Sequence, residues 1–309
     1  MDEFETLINP PQAVFEQFAN LASITEDWAF QMSDYKFWST NYDNFWWITV
    51  VEKGTLNFVA SVSLARWDAE DGPLYSLGSF YCMPKYRGQG VAKPIFQQVI
   101  DMAGDNNIGL FGEQQMINKY AQIFGFNKIA EYCHMFSSLD CKDVKIPEKV
   151  SNRYHTQIWS DVKHDALFAY DRTICPRDRV KIMSAWFTLA DTFTRVALDS
   201  SGNVVGYATA RLVTKNKISF APFYAENLEA AVVLLKDLIN MIPNWENYAN
   251  LGFFYPQCNE SVMKLLKLFA KDEEQIFSCN AGRRQFTKKF IGSSHQKTYA
   301  VSDGSFQFV

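Results

Sequence analysis

A glycine-bearing turn between a predicted strand and a predicted helix is the stretch of this sequence best suited to chemistry. Residues 81–99 read YCMPKYRGQGVAKPIFQQV, which places Gly88 and Gly90 between an apolar run and an amphipathic one. Glycine permits backbone angles that a Cβ forbids, and it lets the main chain approach a ligand closely. The first N–H groups of a helix lack partners within it and, together with the helix dipole, favour an anion. The spacing therefore predicts a phosphate-binding turn; the alternative is an ordinary strand-to-helix connection.

The residues around this turn are consistent with an anion as the ligand. Lys85, Arg87 and Lys93 add positive charge, and Pro94 falls in the first helical turn, where its missing N–H costs little. The sequence has neither the lysine that follows the glycines of a P-loop nor a G-x-G-x-x-G pattern. The predicted cradle is therefore built from backbone.

The same turn carries a family resemblance. Its signature resembles the acetyl-CoA motif Q/R-x-x-G-x-G/A of the GNAT N-acetyltransferases, and Pro84 and Tyr86 ahead of it also match that family. The residues of the signature are Arg87, Gly88, Gln89, Gly90, Val91 and Ala92. The resemblance implies that these six residues hold the pyrophosphate of acetyl-CoA, the expected cofactor.

A second stretch, residues 118–126 (NKYAQIFGF), resembles the family's tyrosine-containing helix that ends in Gly-Phe. Tyr120 lies five residues before Gly125, whereas the family's tyrosine lies four before, so an extra residue or a helix bulge is implied. The resemblance makes Tyr120 the candidate general acid for the departing thiolate. A core tyrosine on an amphipathic helix is the alternative.

The family's fold has two neighbouring parallel strands that splay apart and hold the pantetheine between them. The resemblance implies that backbone groups of residues 77–83 hold pantetheine and the thioester oxygen, with an N–H near Phe80 to Cys82 acting like an oxyanion hole. Glu113, where the second parallel strand gives way to a helix, is the candidate base; a carboxylate interacting with the helix dipole is the alternative. Transfer in this family is direct, so Cys82 is interpreted as a small buried hydrophobe and not as an acyl carrier.

Two further groups of residues are possible contributors to an acceptor site. An aromatic set could line a pocket for an apolar or aromatic amine or could be core: Trp28, Trp38, Phe45, Trp46 and Trp47. A charged set could contact substrate or form a solvated face: Asp171, Arg172, Arg177 and Arg179.

Composition narrows the class of protein. The 309 residues favour two domains, and a net charge of −4 gives no electrostatic footprint for nucleic acid. The sequence has no signal-peptide h-region and no apolar run long enough to span a bilayer, and its six scattered cysteines have no CxxC pair. We therefore expect a cytoplasmic protein that binds neither nucleic acid nor membrane. The four histidines lack metal-ligand spacing, so no metal is expected.

The pattern of elements repeats in the two halves: hairpin, strand, connection, helix, strand, helix, strand. A helical pattern predicts a helix that begins after Asn9, with Asn9 as its N-cap. Alternating and helical patterns along the rest of the chain predict the strands and helices that follow. Predicted strands are 45–52, 56–67, 74–82, 108–111, 128–137, 194–198, 204–213, 217–223, 249–255 and two within 286–308; predicted helices are 91–103, 114–124, 226–242 and 261–269.

The second half resembles the C-terminal domain of tandem GNAT proteins of the YitH-like type. Where the first half has its glycines, the second has Ala221-Pro222-Phe223-Tyr224-Ala225, which offers no glycine and one fewer donor. The resemblance implies an α+β fold of two GNAT-like domains in tandem, each with a mixed, mostly antiparallel sheet, a central splayed parallel pair and flanking helices. Predicted limits are 1–140 for an N-terminal domain with the acetyl-CoA site, 141–160 for a linker, and 161–309 for a C-terminal domain with a degenerate loop.

The function expected from this resemblance is an acetyl-CoA-dependent N-acetyltransferase that moves acetyl directly to the amine of a small molecule. Two alternatives stay open. One is a non-catalytic acyl-CoA-binding or interaction protein with the same fold; the other is a protein or peptide acetyltransferase.

Overall fold

The computed structural model describes residues 3–70 and 72–302, and it divides into two compact units. Among the described residues, the first unit takes 3–129 and 284–290, and the second takes 130–283 and 291–302. The sequence placed the end of the N-terminal domain at residue 140. The two differ because residues 134–140 form a strand that pairs within the second unit.

The first unit contains six whole strands and four helices among its described residues, together with residues 284–286, the end of a strand that begins in the second unit. They are β1 Phe4–Ile8, α1 Gln12–Thr25, α2 Asp34–Asn41, β2 Asn44–Glu52, β3 Phe58–Trp67, β4 Leu74–Cys82, α3 Lys93–Ala103, β5 Asn107–Glu113, α4 Ile117–Phe124 and β6 Lys128–Ile129. Strands β1 to β4 pair in order as antiparallel neighbours, and β4 pairs with β5 in parallel. The sheet is therefore mixed, with its parallel pair at β4 and β5.

Helices cover both faces of this sheet. On one face, Phe15 and Phe18 of α1 pack against Trp47 of β2 at 5.5 Å between ring centroids. On the other face, Phe96 of α3 packs edge-on against Phe80 of β4 at 4.8 Å. Successive strand residues point to opposite faces of the sheet, so β2 packs against α1 on one face and β4 packs against α3 on the other. The strands therefore lie between two apolar layers.

The second unit repeats this arrangement. Its elements are β7 His134–Asp140, β8 Tyr154–Ile158, α5 His164–Arg172, α6 Val180–Phe187, β9 Thr192–Asp199, β10 Val204–Val213, β11 Lys217–Ala225, α7 Leu228–Met241, β12 Asn250–Pro256, α8 Ser261–Phe269, β13 Phe277–Phe286 and β14 Thr298–Ala300. Strands β8 to β11 pair antiparallel in order, β11 pairs with β12 in parallel, and β7 pairs antiparallel with β12 and β13. The α+β class with a parallel pair inside each mixed sheet is confirmed.

Several local predictions need correction. Asn9 does not cap α1: it adopts φ +49°, and its side chain accepts from the Trp47 N–H at 2.7 Å and donates to the Phe45 carbonyl at 3.2 Å. The predicted linker contains β8, which pairs with β9. Of the two strands expected within 286–308, β14 lies there, β13 ends at Phe286, and residues 303–308 lie outside the described residues.

Of the charged set, Arg172 is exposed to solvent as predicted, whereas Asp171, Arg177 and Arg179 are buried. Asp171 and Arg179 form an ion pair whose side chains are 2% and 0% exposed. The hydroxyl of Tyr207 donates to the same carboxylate, and an Arg179 N–H donates to the Tyr224 hydroxyl at 3.3 Å. These buried polar groups are hydrogen-bonded to one another. They connect α5 and the start of α6 to β10 and β11.

Candidate active site

The two parallel strands of the first unit part before they end. Their pairing stops at Leu77 and Leu110, whereas β4 runs on to Cys82 and β5 to Glu113. The register of β4 against β3 also shifts just beyond Leu77, where Ser79 adopts φ +48°. A bulge of this kind bends a strand away from its neighbour. Beyond Leu77 and Leu110 the two strands are no longer paired with each other, and the region between their carboxyl ends is called the opening.

The glycine turn follows β4 directly. Gly88 and Gly90 have φ +78° and +80°, and a Cβ added to either would meet no atom within 4 Å, so open space lies above the turn. The backbone N–H groups of the five residues 88–92 donate to no acceptor among the described residues. Consecutive amides of this kind at a helix start form an anion-binding concavity. The turn therefore fits the pyrophosphate of coenzyme A.

Side chains of the turn are hydrogen-bonded to other parts of the protein. The Tyr86 hydroxyl donates to the Glu52 carboxylate at 2.7 Å, and Lys85 reaches the same carboxylate at 3.5 Å. Gln89 donates from Nε2 to the Lys85 carbonyl at 2.9 Å. Lys85 is thus paired with Glu52 instead of facing the turn, while Lys93 is exposed.

Arg87 also turns away from the glycines. Its guanidinium pairs with the Glu26 carboxylate, its Nε donates to the Cys82 carbonyl at 2.9 Å, and it lies 5.7 Å from the centre of the Tyr81 ring. Its own backbone N–H donates to the Pro84 carbonyl at 3.3 Å. Its assignment to cofactor binding stays a prediction, and its side chain lies beside the opening between β4 and β5.

Tyr120 lies on α4 with its ring stacked on Phe96 at 5.6 Å. The residue is 8% exposed, and its hydroxyl has no hydrogen-bond partner among the described residues. Burial raises the pKa of Tyr120 well above its ordinary value, and the charge of Glu113 raises it further. The N–H groups of Gly125 and Phe126 both bond to the Tyr120 carbonyl, so a widened last turn absorbs the extra residue seen in the sequence.

Glu113 is the last residue of β5 and is half-buried. Burial raises the pKa of its carboxyl, and the charge of Glu26 raises it further; the hydrogen bond from Gln115, at 3.2 Å, and the charge of Arg87 lower it. Helix α4 has no side-chain cap, so Glu113 does not serve as one. A carboxyl with a raised pKa beside the opening is a better proton acceptor than an ordinary carboxyl.

The remaining predicted residues divide between core and opening. Phe80 is partly exposed and packs on Phe96. Burial raises the pKa of the Cys82 thiol, which fits its interpretation as an unreactive side chain. Of the aromatic set, Trp38, Phe45 and Trp47 are core. Trp28 and Trp46 stay partly exposed, and Trp28 packs 6.1 Å from Tyr81.

Sequence reasoning missed two residues at this site. Glu26, just after α1, supplies a second carboxylate, and no local pattern marks it. Gln285 is fully buried, and its Nε2 donates to the carbonyls of Ile117 and Phe126 at 3.1 and 3.0 Å, which ties both ends of α4. Its position 159 residues beyond Phe126 gives no sequence signal.

The second unit has the same strand arrangement, but a strand fills the corresponding space between its parallel strands. Parallel pairing of β11 with β12 ends at Phe220 and Phe253, and β14 then pairs with β11 while the Val301 N–H donates to the Phe254 carbonyl at 2.8 Å. The stretch 221–225, expected to be a degenerate loop, belongs to β11. Only residues 226–227 separate β11 from α7, and Asn227 caps that helix through its Oδ1.

Solved structures share this fold. A provisionally assigned acetyltransferase from Pyrococcus horikoshii superposes with a TM-score of 0.71 at 10% identity, over 99% of this chain and 96% of that one. A tandem GNAT protein from the clavulanic acid biosynthesis pathway gives 0.65 at 11% identity, over 97% and 100%. At these identities the likeness is one of fold. The chain therefore has the tandem fold of GNAT acetyltransferases, which confirms the resemblance.

Two family models match the chain. The model of the family described as "Protein of unknown function (DUF1248)" matches residues 1–174, more than half of the chain, and the chain belongs to that family. A model of the acetyltransferase (GNAT) domain matches residues 167–281. No curated protein sequence matches the chain. No helix within residues 3–70 and 72–302 combines the length and apolarity needed to cross a bilayer.

Proposed function

We propose that this protein transfers an acetyl group from acetyl-CoA to the amine of a small molecule. One observation supports the proposal: the five consecutive amides of residues 88–92, which donate to no acceptor among the described residues, follow the strand that borders the opening between β4 and β5. The GNAT fold supports acyl transfer in general, and we propose the first unit as its location.

The residues of the site divide the work. The amides of residues 88–92 bind the pyrophosphate, and a β4 amide near Phe80 to Cys82 donates to the oxygen on which negative charge develops. Acetyl-CoA supplies an activated thioester, whose C–S bond breaks as the amine forms its C–N bond.

Protons balance through two side chains. Glu113 takes one proton from the acceptor's ammonium, which frees the nitrogen lone pair for attack. Tyr120 gives its hydroxyl proton to the departing sulfur and recovers one from the nitrogen as the amide forms. The proton on Glu113 then passes to water. The raised pKa of Glu113 makes it a better base, and the raised pKa of Tyr120 keeps its hydroxyl protonated until the thiolate departs.

The second unit is proposed to bind no coenzyme A. Strand β14 occupies the space between its parallel strands, and a two-residue connection replaces the glycine turn. One cofactor per chain is therefore expected. The six cysteines are free thiols, which fits the reducing cytoplasm as the proposed location.

Calorimetry with acetyl-CoA tests the proposal. Gly90→Trp should abolish binding, because the new side chain enters the space above the amides and φ +80° is strained for any L-residue. The matched control is Gly54→Trp, at φ +71° in the β2–β3 turn and equally open, which should bind like the wild type. Equal binding by Gly90→Trp and the wild type would refute the cofactor site. Binding without turnover on an amine panel would favour the non-catalytic alternative.

A further inference from the structure

The end of α1 is fastened to the part of β4 that borders the opening. The hydroxyls of Thr25, the last residue of α1, and Tyr81 share a hydrogen bond of 3.0 Å. The next residue, Glu26, pairs with the Arg87 guanidinium, which also donates to the Cys82 carbonyl at 2.9 Å. Glu26 is 23% exposed at its side chain, so its carboxylate is both held and accessible.

We infer that the carboxylate of Glu26, held in place by Arg87, binds the ammonium group of the acceptor beside Glu113, and that the acceptor is a small amine with a single positive charge. This inference rests on the proposed function and adds the class of acceptor. Glu26 is a binding residue in it, and Arg87 a positioning residue that acts through Glu26.

Charge balance selects the acceptor. The set has two carboxyl groups, Glu26 and Glu113, and one guanidinium, Arg87, so it holds one acidic group more than basic groups, and a single ammonium balances that excess. A second cation on the acceptor would face the Arg87 guanidinium, and an acceptor carboxylate would face Glu26 and Glu113. Like charges in a partly buried site are disfavoured.

Glu26 and Glu113 are close enough to interact. The charge of Glu26 raises the pKa of Glu113, while Arg87 lowers it, and Tyr120 on α4 is the further titratable group that Glu113 influences. The two substitutions Glu26→Gln and Arg87→Met should therefore move the titration of Glu113 in opposite directions, which loss of packing alone would not do.

Steady-state kinetics on the full chain test the inference. Glu26→Gln should raise the KM for propylamine about tenfold or more, the effect of losing a hydrogen bond between charged partners. It should also move the acid limb of kcat/KM to lower pH, because Glu113 loses a negative neighbour. Arg87→Met should also raise that KM but should move the limb to higher pH. The control Glu16→Gln, exposed on the same helix, should change neither.

Acceptor choice and equilibrium binding complete the test. Propylamine should be preferred over 1,4-diaminobutane and over glycine, and calorimetry of propylamine on the protein with coenzyme A should show weakened binding for Glu26→Gln. The inference is overturned by preference for the diamine or glycine, by equal propylamine binding in wild type and Glu26→Gln, or by limb shifts of the same sign. Failure of acetyl-CoA to bind the wild type would instead refute the proposed function.

Discussion

Gln285→Met is the substitution that best separates the positioning of α4 from the binding of cofactor. Gln285 is fully buried and donates from Nε2 to the Ile117 and Phe126 carbonyls, one at each end of the helix that carries Tyr120. Methionine keeps the length of the side chain and removes both donors. The Phe126 carbonyl then has no donor among the described residues.

The magnitude follows from that carbonyl. A buried acceptor left without a partner costs about 1–3 kcal/mol, and a small part is regained because the buried Gln285 Oε1, which has no partner itself, is removed. Gln285→Met should lower the free energy of unfolding of the first unit by about 1–3 kcal/mol, measured by urea titration. The control Gln97→Met, on the exposed side of α3, should have little effect.

Kinetics and a double-mutant cycle sharpen this test. A loosened α4 should reduce kcat through Tyr120 while the dissociation constant for acetyl-CoA, set by the turn after β4, stays unchanged. A Cβ at Gly112 would lie 2.2 Å from the Gln285 Oε1, so Gly112→Ala should be destabilising in the wild type and much less so in Gln285→Met. Additive effects of the two substitutions, or a wild-type stability for Gln285→Met, would refute the role of Gln285 in holding α4.

Two further predictions concern stability. Asp171→Asn leaves Arg179 buried without its counter-charge and should cost about 3–5 kcal/mol, measured by urea unfolding against the exposed control Asp165→Asn; a loss below about 1 kcal/mol would contradict the buried pair. Because the pKa of Glu113 is raised in the fold, its contribution is fully present below its unfolded pKa and is lost as pH rises through the folded value. Glu113→Gln should therefore reduce the fall in stability across that pH range, and an unchanged pH dependence would count against the burial of this carboxyl.

The turn could be predicted because its information is local. Gly88 and Gly90 need their positive φ whatever lies elsewhere in the chain, and the helix after them shows in its periodicity. The partner of Arg87 could not be predicted, since Glu26 lies 61 residues away in the chain. Their ion pair forms because the fold brings the end of α1 close to the end of β4. Asn9 was wrongly read as a cap because its amide side chain serves equally well to bond the backbone of β2.

The two parted strand pairs show how one fold can give two different sites. In the first unit the β4 amides beyond Leu77 have lost their parallel neighbour, and an extended ligand with hydrogen-bonding groups could take its place. In the second unit β14 takes that place: the Asn259 Nδ2 donates to the Thr298 carbonyl at 2.9 Å, and Tyr299 is 1% exposed. Backbone groups in such an opening need partners. A strand of the same chain meets that need in the second unit, whereas among the described residues no strand lies between β4 beyond Leu77 and β5 beyond Leu110.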